Sequence, residues 1–324
     1  MKTFSLFALL LMLLTLASTA SADINRELRR AQKLLAAGDY ELALAEYQRM
    51  AKEKNNPLAK LSIALFYDNG WGRQVDPVKA CQWYEQAAQD ELPVAADALG
   101  RCLSEGIHRD VDYAQAATWY QKAADLGLHY SLCHLGELYI SGKGVDKDPA
   151  KGLDLCQQSA SQGSVPAMLR LGNFYLNEKE VLDDEAALHW LTTAASYHSA
   201  EAEYKLGVLL RDGRGIDKDP LLARSWFEQA ASKGHVPAYF ETAVLYFNAP
   251  ADPETGLWHE NDLAKAYMWL SATLQRTEDA EQRKLAGEMM EKVRGVMPET
   301  WTADLDTKVD AHLQQYAAAN TEQD

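Results

Sequence analysis

The chain has 324 residues, with 32 Lys and Arg against 47 Asp and Glu, a net charge of −15. Binders of bare nucleic acid cluster basic side chains against phosphates, so this balance excludes that class, and it disfavours simple electrostatic adhesion to anionic membrane. A chain of this length has room for two ordinary domains, but its internal pattern points to another organisation.

Residues 1–22 read as a secretory signal. Lys2 is the positive start, Phe4 to Leu16 the apolar stretch, and Ala20-Ser21-Ala22 a small-residue cleavage site before Asp23. The alternative is an uncleaved N-terminal anchor. No cysteine stands at the cleavage point, and no comparably long apolar run follows. The expected product is periplasmic or secreted, with no integral membrane segment after cleavage. Next comes a segment from 23 to 56. Its stretch Ala31 to Ala51, with Gly38-Asp39-Tyr40 and Tyr47, resembles a tetratricopeptide hairpin, and Tyr47 lies 36 residues before Trp83. It is expected to cap the N-terminal end.

From 57 to 275 the chain repeats six times. A first anchor recurs as Ile63-Ala64, Leu99-Gly100, Leu135-Gly136, Leu171-Gly172, Leu206-Gly207 and Thr242-Ala243, at spacings of 36, 36, 36, 35 and 36. A second recurs as Trp83, Trp119, Leu155, Trp190, Trp226 and Trp269. The step from second anchor to next first anchor is 16 in all five cases, whereas the step within a repeat runs 20, 20, 20, 19, 20 and 27. The junction between repeats is therefore invariant, and the loop inside each repeat absorbs insertions. A period of this length signals a solenoid, because one unit cannot bury its apolar face alone.

Each repeat reads as a helix pair. Ala59, Ala95, Ser131, Ala167, Ala202 and Ala238 stand four before the first anchor, and apolar positions three and four beyond it, such as Phe66 and Tyr67 or Leu138 and Tyr139, continue one buried stripe. Gly70-Trp71-Gly72, Gly142-Lys143-Gly144 and Gly213-Arg214-Gly215 end the first helix, and Asp76-Pro77, Asp148-Pro149 and Asp219-Pro220 start the second. The fourth repeat has Asn177-Glu178-Lys179-Glu180 in place of the glycines, so its loop should differ in shape. The last repeat carries a loop from Ala249 to Asp262, seven residues longer than its counterparts. Trp258 there is either a contact point or packed on the terminal helices. In the segment from 276 to 324, Leu285, Met289 and Val293, and then Leu305, Val309 and Leu313, form two stripes of helices expected to close the open end.

The sequence Leu-Gly, Tyr, Gly-x-Gly-Val/Ile-Asp-Lys-Asp-Pro, Trp-Tyr/Phe and Ala-Ala, best seen from Leu135 to Ala160 and Leu206 to Ala231, resembles the Sel-one-like repeat (SLR) family, a relative of tetratricopeptide repeats. The resemblance implies an all-α fold, a right-handed α/α superhelical solenoid of stacked antiparallel helix pairs. It also implies protein binding rather than chemistry, and no cofactor.

Four cysteines, Cys81, Cys102, Cys133 and Cys156, permit three pairings. Cys81 and Cys102 lie at matched height on consecutive helices that turn near residue 91, and Cys133 and Cys156 at matched height about their own glycine turn. These two disulfides are the expectation in an exported chain. Four small buried thiols are the alternative.

Motifs for chemistry are weak. The cysteine-rich branch of the SLR family has been associated with β-lactam hydrolysis, but the mature chain has no Ser-x-x-Lys, Gly-x-Ser-x-Gly or His-Glu-x-x-His. Gly142-Lys143 lacks the spacing and the hydroxyl of a phosphate loop. His129, Cys133 and His134 bring metal-type side chains together without a visible fourth ligand, so no metal site is expected.

On the first helices, positions −1, +2 and +6 from the anchor face away from the buried stripe and vary from repeat to repeat. The central polar run, Arg101, Glu105, His134, Glu137, Arg170, Asn173, Asn177, Lys205 and Asp212, is the expected partner-binding groove on the concave side; an ordinary solvated helix face is the competing reading. The function expected is a non-enzymatic adaptor that binds a protein of the cell envelope. The alternatives are an envelope hydrolase of β-lactamase or cell-wall type, or a structural subunit of an envelope or secretion complex.

Overall fold

The computed structural model describes residues 28–320, so the expected export signal at 1–22 lies outside the described residues. Among these residues there are sixteen α-helices, one short 3₁₀ turn and no strand. They divide into two compact units, one running through Gly163 and the other from Ser164. The first unit holds α1 (Arg29–Ala36), α2 (Tyr40–Lys54), α3 (Pro57–Asp68), α4 (Pro77–Gln89), α5 (Pro93–Glu105), α6 (Tyr113–Asp125), α7 (Ser131–Ser141) and α8 (Pro149–Ser161). The second holds α9 (Val165–Asn177), α10 (Asp184–Ser196), α11 (Ala200–Asp212), α12 (Pro220–Ser232), α13 (Val236–Phe247), α14 (Glu260–Arg276), α15 (Ala280–Val296) and α16 (Thr302–Asn320). Within each unit, consecutive helices pack as neighbours in sequential pairs, the all-α stack implied by the repeat.

Local chemistry sets the helix ends. Asp76, Asp112, Asp148, Asp183 and Asp219 each accept a hydrogen bond from the backbone N–H three residues on, which satisfies a donor that the first turn leaves without a partner. Gly106, Gly142 and Gly213 end α5, α7 and α11 in the left-handed conformation. In the fourth repeat, α9 ends instead at Glu178 in an extended conformation, so that loop does leave the helix along a different course.

The anchors are buried as the periodicity requires. Ile63, Leu99, Leu135, Leu171, Leu206 and Thr242 are buried, and so are the small residues four before them. The second anchor behaves differently from a simple core position. Trp83, Trp119, Leu155, Trp190 and Trp226 are half-buried, and the residue after each (Tyr84, Tyr120, Cys156, Leu191, Phe227) goes to the core. The glycine of the first anchor makes room for it. A Cβ on Gly100 would lie 2.6 Å from the Tyr120 ring, on Gly172 2.7 Å from Leu191, and on Gly207 2.7 Å from the Phe227 ring. These three hairpins thus close with a large side chain laid on bare backbone.

The third repeat closes without the ring. Cys156 occupies that position and is bonded to Cys133, with Cα atoms 4.0 Å apart. Gly136 and Gly152 face each other so closely that a Cβ on either would meet the other's carbonyl oxygen at 2.5 Å. Cys81 and Cys102 form the second disulfide, joining α4 of one repeat to α5 of the next.

At the C-terminal end, Leu305, Val309 and Leu313 of α16 are buried as expected. On α15 the expected stripe is displaced. Leu285 is exposed and Met289 only partly buried, whereas Ala286, Met290 and Val293 are buried. A small alanine lets α15 approach its neighbours more closely than leucine does, and the buried face turns by one residue to follow it. Trp258 of the long loop packs on Phe247 of α13, with ring centroids 5.2 Å apart.

Two consequences are measurable. Gly136→Ala inserts a methyl group against a backbone carbonyl and should cost about 1–3 kcal/mol, read as a lower urea midpoint with an unchanged slope; an unchanged midpoint would mean the α7–α8 contact is not tight. His235 and His312 in the second unit are both held below the ordinary imidazole value of 6.5, chiefly by burial. The unfolded chain therefore binds protons that the folded one refuses. Their contribution is fully present above about pH 6.5 and is lost as the pH falls through the folded values. The thermal midpoint should drop between pH 7 and pH 5, and less steeply in a His312→Asn variant.

Candidate partner-binding face

The first helices of neighbouring repeats are linked by polar side chains that run diagonally from one to the next. In the first unit, Arg101 on α5 donates to Asp68 Oδ2 on α3 at 3.2 Å, and the Tyr84 hydroxyl donates to the same oxygen at 2.7 Å. One repeat on, His134 Nδ1 on α7 lies 2.8 Å from Asp97 Oδ1 on α5, with the imidazole 5.1 Å from the Tyr120 ring. In the second unit, Arg211 on α11 pairs with Glu241 on α13 at 2.7 Å and with its neighbour Asp212 at 2.8 Å.

Burial and charge act together at these pairs. Burial raises the Tyr84 phenol well above its usual value, and the Asp68 carboxylate adds to the rise. Tyr120, which meets the Ser104 hydroxyl at 3.2 Å, is pushed up to about 12 by burial. Burial also opposes ionisation of Asp97, yet the hydrogen bond and charge of His134 hold its carboxyl below the usual range. The hydrogen bond from Arg211 lowers Asp212 in the same way.

The expected site residues fall into three groups. Arg101, Glu105, Asn177 and Asp212 are exposed. Glu137, Arg170, Asn173 and Lys205 are half-buried; Lys205 lies 3.5 Å from Glu201, and the Asn177 side-chain amide donates to the Asn173 carbonyl at 2.9 Å. His134 is half-buried and committed to Asp97. The stripe is therefore partly a surface and partly a ladder between repeats. Sequence reasoning missed Asp68 and Asp97; Glu241 stands on the varied stripe, one before the last first anchor, but its pairing with Arg211 was not read. Their signal is an offset of nearly one period: Asp68 to Arg101 spans 33 residues, Asp97 to His134 spans 37 and Arg211 to Glu241 spans 30. Two open depressions in the surface lie elsewhere, one along α12 at Ser225, Gln229 and Ser232, the other between α7 and α8 at Leu132, Asp154 and Gln158.

The metal-type trio read from sequence does not assemble. Cys133 is in a disulfide, His134 is on Asp97 and His129 is exposed. The Gly142-Lys143 turn ends α7, its Lys143 N–H donating to the Leu138 carbonyl and its ammonium lying 5.2 Å from the Tyr113 ring centre.

Breaking the Asp97–His134 pair should show coupling. Each of Asp97→Ala and His134→Ala is expected to destabilise the fold, and the double variant to lose about 1 kcal/mol less than their sum; strict additivity in urea titrations would mean that the two groups do not interact.

A family model described as "Sel1 repeat" matches residues 57–91, 93–128, 129–164, 165–196, 200–235 and 237–272, one match around each first anchor. Among solved structures, protective antigen c5321 of uropathogenic Escherichia coli, which displays an SLR fold, is 21% identical with a TM-score of 0.64; the alignment covers 93% of this chain and 64% of that one. A Sel1 repeat protein from Oxalobacter formigenes is 28% identical with a TM-score of 0.59, covering 82% of this chain and 99% of the other. No curated protein matches at a significant level.

Proposed function

Because this chain belongs to the Sel1 repeat family, we propose that it is an exported scaffold that holds a protein partner of the cell envelope on the varied polar face of its first helices. Proteins of this family are generally protein–protein interaction scaffolds, and the fold is typically non-catalytic. The observation that carries the reading is the contrast between two stripes on the same helices. One is uniform and buried in every repeat, and the other presents a different set of side chains in each: Arg101 and Glu105, then Glu137, then Arg170, Asn173 and Asn177, then Lys205 and Asp212. A scaffold that keeps its packing constant and varies one face distributes recognition over many small contacts.

Two buried disulfides support export, since such bonds persist in oxidising compartments. No helix among the described residues is long and apolar enough to cross a membrane. The mixed charge of the face favours a partner with both signs, engaged through rim contacts that tune association. On this reading the domain plan is functional as well: the described helices before residue 57 and after residue 275 cap the repeats that they adjoin.

A photo-reactive side chain placed at Glu137 or Asn173 should yield one defined protein adduct in the intact envelope. The same group at Gln82 or Gln158, exposed on second helices, should yield none. Reversing Arg170 and Lys205 to glutamate should lower the adduct yield roughly tenfold with helicity unchanged. Equal adducts from Gln82 and Gln158, or indifference to the charge reversal, would move recognition off this face.

A further inference from the structure

In the loop after the first helix, three repeats have a glycine nine residues beyond the anchor: Gly72, Gly144 and Gly215. Each adopts a positive φ and lies against the start of a second helix, where a Cβ would come within 2.6, 2.4 and 2.6 Å of its neighbours. In the second repeat that register position is His108. Its side chain is only 4% exposed, so the ring has turned inward. There a ring nitrogen and the sulfurs of Cys81 and Cys102 all lie within 4.8 Å of one another. No other trio of metal-type side chains is this close among the described residues.

The surroundings of the ring are specific. Nε2 accepts a hydrogen bond from Arg109 Nε at 2.9 Å and lies 3.5 Å from Glu85 Oε2. Glu85 stands four residues after Cys81, one turn along the same face of α4, and is itself paired with Arg109. Nδ1, by contrast, is buried with no hydrogen-bond partner. A disulfide that served packing alone would not need a buried imidazole beside it, least of all one with a polar atom left unmatched.

We propose that Cys81, Cys102 and His108 form a redox-gated metal site, which binds a thiophilic divalent ion such as Zn²⁺ when the disulfide is reduced and is closed to metal when it is oxidised. The ligands are the two thiolates and Nδ1, with water in the fourth position. Opening takes two electrons from a thiol reductant: the S–S bond breaks, two RSH become RSSR, and two cysteine thiols form. Metal binding then releases the two thiol protons. Once opened, the sulfurs move apart to van der Waals separation, close to the roughly 3.8 Å that a tetrahedral ion with Zn–S bonds of about 2.3 Å requires. The Cα separation of 5.8 Å accommodates both states. The neutral imidazole is the form that ligates. Ligation through Nδ1 moves the ring proton to Nε2, so the Arg109 N–H that Nε2 accepts has to turn away to Glu85, its other partner; Nε2 then donates to Glu85, a carboxylate–histidine–metal arrangement that orients the ligand.

The Cys133–Cys156 bond provides an internal control, because the neighbouring His134 is held by Asp97. The full chain is reduced anaerobically with a phosphine and titrated with Co²⁺, followed by displacement with Zn²⁺. Reduced wild type and the Cys133→Ser/Cys156→Ser variant should each bind one equivalent with thiolate-to-cobalt charge-transfer and tetrahedral d–d bands. Cys81→Ser/Cys102→Ser and the oxidised protein should show none, and His108→Ala should bind at least about tenfold more weakly. Circular dichroism verifies the fold of each variant, and His108→Asn replaces His108→Ala if the latter unfolds. The proposal fails if thiol titration shows the Cys81–Cys102 bond closed to reductant in the folded chain. It fails equally if reduced wild type gives no bands, if both His108 variants bind like wild type, or if the bands follow Cys133 and Cys156.

Discussion

The contact on which three of the six repeats depend is the approach of a large side chain on the second helix to bare backbone on the first. Gly100 under Tyr120, Gly172 under Leu191 and Gly207 under Phe227 leave no space for a Cβ. Dispersion falls steeply with separation, so removing one methyl group from the interface lets every other pair across it come into contact. The glycine costs helix propensity at an interior position, and the hairpin recovers it through a buried ring or leucine. The small residues at Ala59, Ala95, Ala167, Ala202 and Ala238 serve the same end.

The third repeat shows what happens when that ring is absent. With Cys156 in its place, the helices draw together until Gly136 and Gly152 meet backbone to backbone, and a covalent bond to Cys133 replaces the lost packing. The other disulfide has a different setting. It spans two repeats, and His108 sits over it where three sister repeats have glycine. One bond substitutes for a core side chain, while the other is surrounded by groups that have chemistry of their own.

Joining one repeat to the next is the work of polar groups as much as apolar ones. Arg101 to Asp68, His134 to Asp97 and Arg211 to Glu241 tie successive first helices together. These residues alternate with exposed neighbours, so the face that varies between repeats is not a uniform lawn of solvated side chains. Its charges are already oriented by their ion pairs, and groups fixed in this way lose less entropy in any contact they make.

The invariant step of 16 residues, the Asp-Pro starts, the glycine ends and the small-residue stripe were legible in the chain because each arises from a local rule: helical periodicity, capping and the need to bury one face. The two disulfides were readable for the same reason, as heights along helices follow from residue counts. Other features depend on how helices turn about their own axes once packed, which counting does not supply. That rotation put Tyr84 and Phe227, rather than the tryptophans before them, into the core, and it moved the buried face of α15 from Leu285 to Ala286. It also committed His134 to Asp97 and folded His108 over a disulfide from which it is separated by 27 and 6 residues. The repeat was written locally; the pairing of particular side chains was decided only when the helices met.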